Sequence, residues 1–346
     1  MPFDPARVKL ATSFKHAGTF FSLCQDADGR LLAGSDDFAI HVFDPAVKKT
    51  DTVAKWERHE SYVSALVALK QGGKSVIVSG SYDRSLVWWD AAGKVLRAVE
   101  GHQGWVRQVV PTPDGSRLVS VGDDMLVKIW DAASGKFVRG MEGHATRTPQ
   151  GHVTALYSVA VSGDGKRIAS GDRHGEVRVW EADGGKLAST FQVPTLYTYD
   201  PRQRKRSMGG VRALAFSKDG RFLAAGGIGQ IGNVDGLGGP IHLEVWDWKK
   251  PEARVVTGAK RQNGMIGQLV LHPEGDWLIG AGGGGSGFLA FWKVNPLPAS
   301  GDPKKADVSE QHQKFDGHAH AVVLNPSRNE LYVAGYRKVD VWGLGG

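Results

Sequence analysis

Apolar residues in this chain fall into short runs with alternating polar positions, broken every few residues by Gly, Asp, Pro or Ser. Period-two alternation marks half-buried strands, and breaks of this composition are turns. The interval 101–131 shows the pattern most cleanly. Three apolar segments begin at Val106, at Leu118-Val119-Ser120 and at Val127-Lys128-Ile129-Trp130, and Pro113-Asp114-Gly115 separates the first two. Asp-Gly is a hairpin turn. The pair returns as Asp28-Gly29, Asp164-Gly165 and Asp219-Gly220, and Glu274-Gly275 replaces it further on. The pattern predicts strands throughout, in units of similar construction.

The units end alike. Phe43-Asp44, Trp89-Asp90, Trp130-Asp131, Trp180-Glu181, Trp246-Asp247, Trp292-Lys293 and Trp342-Gly343 close seven apolar segments, with aromatic positions 46, 41, 50, 66, 46 and 50 residues apart. A period of about 40–45 residues ending in Trp-Asp marks four-stranded propeller blades. The chain resembles the WD40-repeat (G-protein beta-like) propeller family along nearly its whole length, and its regular Asp-Gly turns look like those of bacterial members. The resemblance implies an all-β chain forming one domain, a seven-bladed β-propeller of four-stranded antiparallel sheets. Blades are expected near 16–58, 59–101, 102–151, 152–206, 207–261, 262–317 and 318–346. The last repeat stops just after Trp342, before any fourth strand, and Arg7–Phe14 reads as a strand with no blade of its own. Residues 1–15 are therefore expected to supply the outer strand of blade seven and remove an open edge.

The resemblance further implies a buried His–Ser–Asp–Trp hydrogen-bond tetrad in each complete blade. The physics agrees, because a buried imidazole, carboxylate and indole N–H each need a partner. By position the second repeat has His59, Ser79, Asp83 and Trp89, and the third has His102, Ser120, Asp124 and Trp130. The fourth has His152, Ser170 and Trp180, with His174 at the Asp position. The first keeps His16 and Asp37 but has Ala33 and Phe43. The fifth and sixth have Ser207 and Gln262 at the His position, so apolar packing must hold them.

Departures from the repeat cluster in the loops that this family gathers on one face, the top. A second Gly-His pair, Gly151-His152, follows Gly143-His144. Extra residues also occupy 194–208, 226–240 and 282–287, and 296–305 is an insertion on the opposite face. The 194–208 insertion sets Tyr197 and Tyr199 beside Arg202, Arg204, Lys205 and Arg206. Lys260 and Arg261 are expected on the same face. Guanidinium groups bind carboxylates and phosphates in pairs of hydrogen bonds, and Tyr adds contact area at low entropic cost. Tyr62 and Trp105 share one repeat position, and Arg107, Tyr157 and Arg212 lie shortly after it, near the expected mouth of the channel. Aromatic and Arg residues there are good anchors for a partner.

No constellation calls for catalysis. Gly227-Ile228-Gly229-Gln230-Ile231-Gly232 matches a dinucleotide fingerprint, yet a strand pattern follows where that site needs a helix. Asp36-Asp37 and Asp123-Asp124 recur at one repeat position, which suits turn and tetrad roles rather than paired acids. His312, His318 and His320 have no Cys or Glu at metal-ligand spacing. No metal or cofactor is expected. The 346 residues carry a net charge of +7 and a single cysteine, Cys24, so no intrachain disulfide can form. Neither a basic start followed by an apolar run nor a long apolar stretch is present, so the chain is expected to be cytoplasmic, with no signal peptide or membrane span. The expected function is a non-catalytic scaffold that binds a protein or peptide, an acidic one by charge, on the top face, as a monomeric propeller within a larger complex. The alternative is nucleic-acid binding through residues 202–206, with a propeller enzyme third.

Overall fold

The computed structural model describes residues 3–47, 52–202, 205–232, 234–236, 238–250, 254–294 and 310–345. The side chains of 254–262 and 310–312 are not among what it describes. The described chain is built of strands joined by turns, and its helices are two short 3-10 turns, Pro5–Arg7 and Pro194–Leu196. No helix among the described residues is long and apolar enough to cross a membrane. The strands form the small antiparallel sheets of β-propeller blades.

The chain divides into two compact units. The first comprises Met1–Glu142 and His320–Gly346. It holds two four-stranded sheets, Val63–Gln71, Lys74–Ser81, Ser85–Asp90, Val95–Glu100 and Val106–Pro111, Arg117–Gly122, Val127–Asp131, Phe137–Met141. A six-stranded sheet completes it, in the order Ala319–Asn325, Glu330–Gly343, Lys9–Gln25, Leu31–Ser35, Ala39–Phe43, Ala54–Glu57. The second unit, Gly143–Ala319, holds the four-stranded 156–192, 213–263 and 265–315 sheets. It also carries a two-stranded ribbon, Tyr197–Asp200 with Arg206–Gly209.

Six sheets of blade size are therefore distinct where seven were expected. The first and last repeats run together because Lys9–Gln25 serves both. Its first half pairs with the chain's end, Leu10 with Trp342 and Phe14 with Val339. Its second half pairs forward, Leu23 with Ala33 and Gln25 with Leu31. His16–Gly18 stays extended between the halves, so no break separates the two repeats. A buried cluster of Phe14, Phe20, Phe43, Tyr332 and Val339 packs across the join. The Tyr332 hydroxyl accepts from Gln25 Nε2 (3.0 Å) and donates to Glu330 Oε2 (2.6 Å).

Within each unit, neighbouring sheets meet through apolar faces. Val78, Leu86 and Trp88 of the 63–100 sheet pack against Val106, Val109 and Trp130 of the next. In the second unit, Phe191 stacks on Trp246 with centroids 4.5 Å apart. Three of the Asp-Gly turns repeat one construction. At Thr112–Arg117 the Asp114 carboxylate accepts from Thr112 Oγ1, Ser116 Oγ and Ser116 N–H. Gly115 takes φ +68°, a conformation open to glycine without strain. Ser162 with Asp164 and Ser217 with Asp219 make the same hydroxyl–carboxylate bond at 2.6 Å.

Candidate functional site

The second and third repeats hold fully connected polar cores. His59 bonds Asp83 through Nδ1 and Ser79 through Nε2, both at 2.7 Å, and Trp89 Nε1 donates to Ser79 Oγ at 2.8 Å. His102, Asp124, Ser120 and Trp130 repeat these contacts at 2.7, 2.7 and 2.8 Å. Burial works to raise the Asp124 carboxyl, but hydrogen bonding from His102, its charge interaction with that ring and the Gln103 N–H hold it at about 2. Burial lowers the His102 pKa against the pull of Asp124. Both imidazole nitrogens and the indole N–H are thereby used inside the sheet. These groups hold the blade together and are not presented to a ligand.

In the fourth repeat His144, not His152, takes this place. His144 Nε2 bonds Ser170 Oγ (2.7 Å), which also accepts from Trp180 Nε1 (2.9 Å). Its Nδ1 lies 3.3 Å from Asp172 Oδ2 and 3.2 Å from Glu176 Oε1. Burial acts to lower the His144 pKa, yet hydrogen bonds to the two carboxylates raise it on balance. The physical reason for the exchange is chain length. His144 follows closely on the outer strand Phe137–Met141, within reach of Ser170. His152 belongs to a small loop closed by the Arg147–Val153 bridge and the Thr148–Gly151 turn. The extra residues follow the histidine rather than precede it.

The first and fifth repeats are built differently. Asp37 bonds His41 Nε2 at 3.0 Å rather than His16. His242 and Glu244, both buried, pair at 2.9 Å in the 213–263 sheet. Ser207 lies in the ribbon, not in a blade, and its carbonyl accepts from Arg173.

On the surface of the first unit, the expected anchors form part of a row. Trp105 and Tyr82 stack face to face, 4.3 Å apart and 5° from parallel. Tyr82 meets Tyr62 at 5.7 Å, and Tyr62 stacks on Phe21 at 5.3 Å. Phe38 packs beside Tyr62 at 5.9 Å. Trp105, Phe38 and Tyr62 remain 46%, 42% and 39% exposed. The Arg107 guanidinium lies over both Trp105 and Tyr82 and forms a two-bond pair with Asp123, at 2.6 and 3.0 Å. Asp123 is thus an ion-pair partner and not only a turn residue.

In the second unit the expected residues divide. Arg212 Cζ sits 3.6 Å above the Tyr157 ring, and its Nε donates to Gly209 O. The Tyr197 hydroxyl donates to Gln150 Oε1 at 2.7 Å, and Tyr199 packs beside His152. Gln230 Nε2 donates to Tyr197 O at 2.8 Å, tying the 228–240 loop to the ribbon. Among the described residues no helix follows Gly227–Gly232, and the next element is the strand Pro240–Asp247. Arg202, Lys205 and Arg206 are all exposed on the ribbon, and Arg206 pairs with Asp235. Arg204 lies outside the described residues, and so do the side chains of Lys260 and Arg261.

The family described as "WD domain, G-beta repeat" matches residues 50–90, 93–131, 141–181 and 203–230. This chain carries WD40 repeats. The matches include the two repeats with complete tetrads and the one rebuilt around His144. The chain is similar to the nuclear distribution protein PAC1 of Arthroderma benhamiae, 38% identical over 111 residues, covering 30% of this chain and 24% of that protein. It is 28% identical over 138 residues to the nuclear distribution protein nudF of Aspergillus niger, covering 34% and 31% of the two chains. The similarity thus spans less than a third of these relatives' length. They are fungal, which runs against the bacterial look of the repeats.

The WD40 register also locates what motif reading missed. Phe21 lies five residues after His16, as Arg107 does after His102, and Tyr82 precedes Asp83 as Asp123 precedes Asp124. Superposing the repeats would have put Phe21 and Tyr82 in the row. The same count favours His144, 14 residues after Trp130, because His102 follows Trp89 by 13.

Proposed function

We propose that this WD40 chain is a non-catalytic scaffold whose partner is a protein or peptide segment. The observation that carries the proposal is the aromatic row Phe38, Tyr62, Tyr82, Trp105, exposed except at half-buried Tyr82 and capped by Arg107. Monomeric proteins rarely leave contiguous large aromatic surface in water, and such patches mark interaction sites. Trp, Tyr and Arg are the residues that dominate binding energy at interfaces. Stacking fixes each ring in advance, so a partner meets side chains with little rotamer entropy left to lose. The Arg107 charge is answered by Asp123, so the row favours an apolar or aromatic segment over an acidic one. An acidic partner is better suited to Arg202 and Lys205 on the ribbon, a second contact of the same proposed kind. Similarity to nuclear distribution proteins is compatible with a cytoplasmic scaffold acting in a larger assembly. In this proposal the six-stranded sheet counts as two blades, giving seven, with Lys9–Lys15 as the outer strand of the last.

The test is selection of displayed peptides on immobilised wild-type protein, followed by affinity measurements on Trp105→Ala, Tyr62→Ala and an Arg202→Ser/Lys205→Ser double variant. Loss of binding in the aromatic variants at an unchanged melting temperature supports the row. Binding that survives both and disappears in the ribbon variant moves the site to the ribbon. Salt-sensitive retention of single-stranded nucleic acid, abolished in the ribbon variant, favours the nucleic-acid alternative.

A further inference from the structure

The first repeat keeps the histidine and aspartate of the tetrad but has lost its serine and tryptophan to Ala33 and Phe43. In the second and third repeats the serine holds one imidazole nitrogen and the aspartate the other. His16 has neither bond. Its Nδ1 accepts from the Gly18 N–H at 2.9 Å, and among the described residues no hydrogen bond reaches its Nε2. Beside it stands a second histidine. His41 meets His16 edge to face with centroids 4.2 Å apart, and its Nε2 lies 3.0 and 3.1 Å from the two Asp37 oxygens. One donor atom from each of His16, His41 and Asp37 falls within a 4.8 Å cluster.

We propose that His16, His41 and Asp37 bind a divalent transition cation of the zinc type. Two imidazoles and one carboxylate are a donor set that such ions take, with a fourth position left to water. Tetrahedral ligand arms of about 2.0–2.2 Å set donors roughly 3.4 Å apart; His41 Nε2 and Asp37 already lie within that separation, and the His16 ring has to swing in to complete the set. The surroundings suit an ion. Phe20, buried, packs on both the His16 and His41 rings from the inner side, while Asp37 is partly exposed and gives an entry path. His41 Nδ1 lies 3.4 Å from Thr52 Oγ1, an outer partner of the kind that orients a ligating imidazole. The resident counter-charge to Asp37 is Lys55, 3.4 Å away, half exposed and also paired with Glu57 at 2.7 Å, so an ion can displace it. The cation has one further competitor, the Gly18 N–H, for the His16 lone pair. The similar cluster of His144, Asp172 and Glu176 is less suited, because Ser170 already holds His144 and Arg178 balances Glu176.

Titration of the metal-free full chain with Co²⁺, then Zn²⁺, tests the site. One Co²⁺ per chain is expected, giving the intense visible absorption of four-coordination, and Zn²⁺ should displace it and raise the melting temperature. Asp37→Asn, His16→Gln and His41→Gln should each weaken binding tenfold or more, while His320→Gln should leave it unchanged. Asp37 is the exposed member, so its variant tests the site even if replacement of buried His41 disturbs folding. No absorption in the wild type, or equal affinity in wild type and Asp37→Asn, overturns the proposal. Loss on His320→Gln with no loss on Asp37→Asn assigns any bound metal elsewhere and overturns it as well.

Discussion

Replacing His144 by alanine should destabilise the protein far more than replacing His152. His144 is 5% exposed and its two ring nitrogens reach Ser170, Asp172 and Glu176. After truncation, Asp172 Oδ2 loses its partner inside the sheet, although Oδ1 still accepts from the His174 and Glu176 N–H groups. Ser170 retains the Trp180 indole. Removing one member of a buried charged pair costs about 3–5 kcal/mol, and the vacated ring volume adds to this. For His152, Nε2 is buried with no hydrogen-bond partner, so its loss leaves no group stranded. The expected change is about 1 kcal/mol or less. Urea unfolding followed by tryptophan fluorescence measures both, and Trp180, 6.3 Å from the His144 ring, reports locally. Equal midpoint shifts, or a larger shift for His152→Ala, would refute the assignment of His144 to the tetrad.

Four further outcomes follow from the same contacts. Asp124, held at about 2, contributes stability present above 3.8 and lost as pH falls towards 2, so Asp124→Asn should flatten the acid limb of a melting-temperature profile in that window. The His144 pKa is raised above 6.5, so its contribution is full below that pH and fades as pH climbs through the folded value; the melting difference between wild type and His144→Gln should narrow at alkaline pH. Deletion of residues 1–15 should expose the Lys338–Gly343 edge and lower solubility, seen as light scattering at fixed concentration, whereas unchanged scattering would show the edge to be covered otherwise. Arg202→Ser with Lys205→Ser should leave the melting temperature within the range of ordinary surface changes, because both side chains are exposed; a large drop would reveal a structural role for the ribbon's turn.

Sequence by itself determined the elements and their repetition. Alternation sets strand faces, Asp-Gly sets turns, and the spacing of the Trp-Asp pairs sets the period, all of them local properties of a few adjacent residues. The polar cores around His59 and His102 were legible for the same reason, since each lies within one repeat of ordinary length. Tertiary structure decided which of two Gly-His pairs enters the fourth repeat, because that depends on how far the chain reaches from the preceding outer strand; in the sequence only the count from Trp130 pointed to His144. It likewise decided that Asp37 turns to His41, a residue the tetrad pattern does not include. The join of first and last repeats through Lys9–Gln25 depends on residues more than 300 apart meeting edge to edge. The aromatic row is of this kind too. Phe21 comes from the first repeat, Tyr62 and Tyr82 from the second and Trp105 from the third, and the packing of one sheet beside the next brings the rings of different repeats into contact.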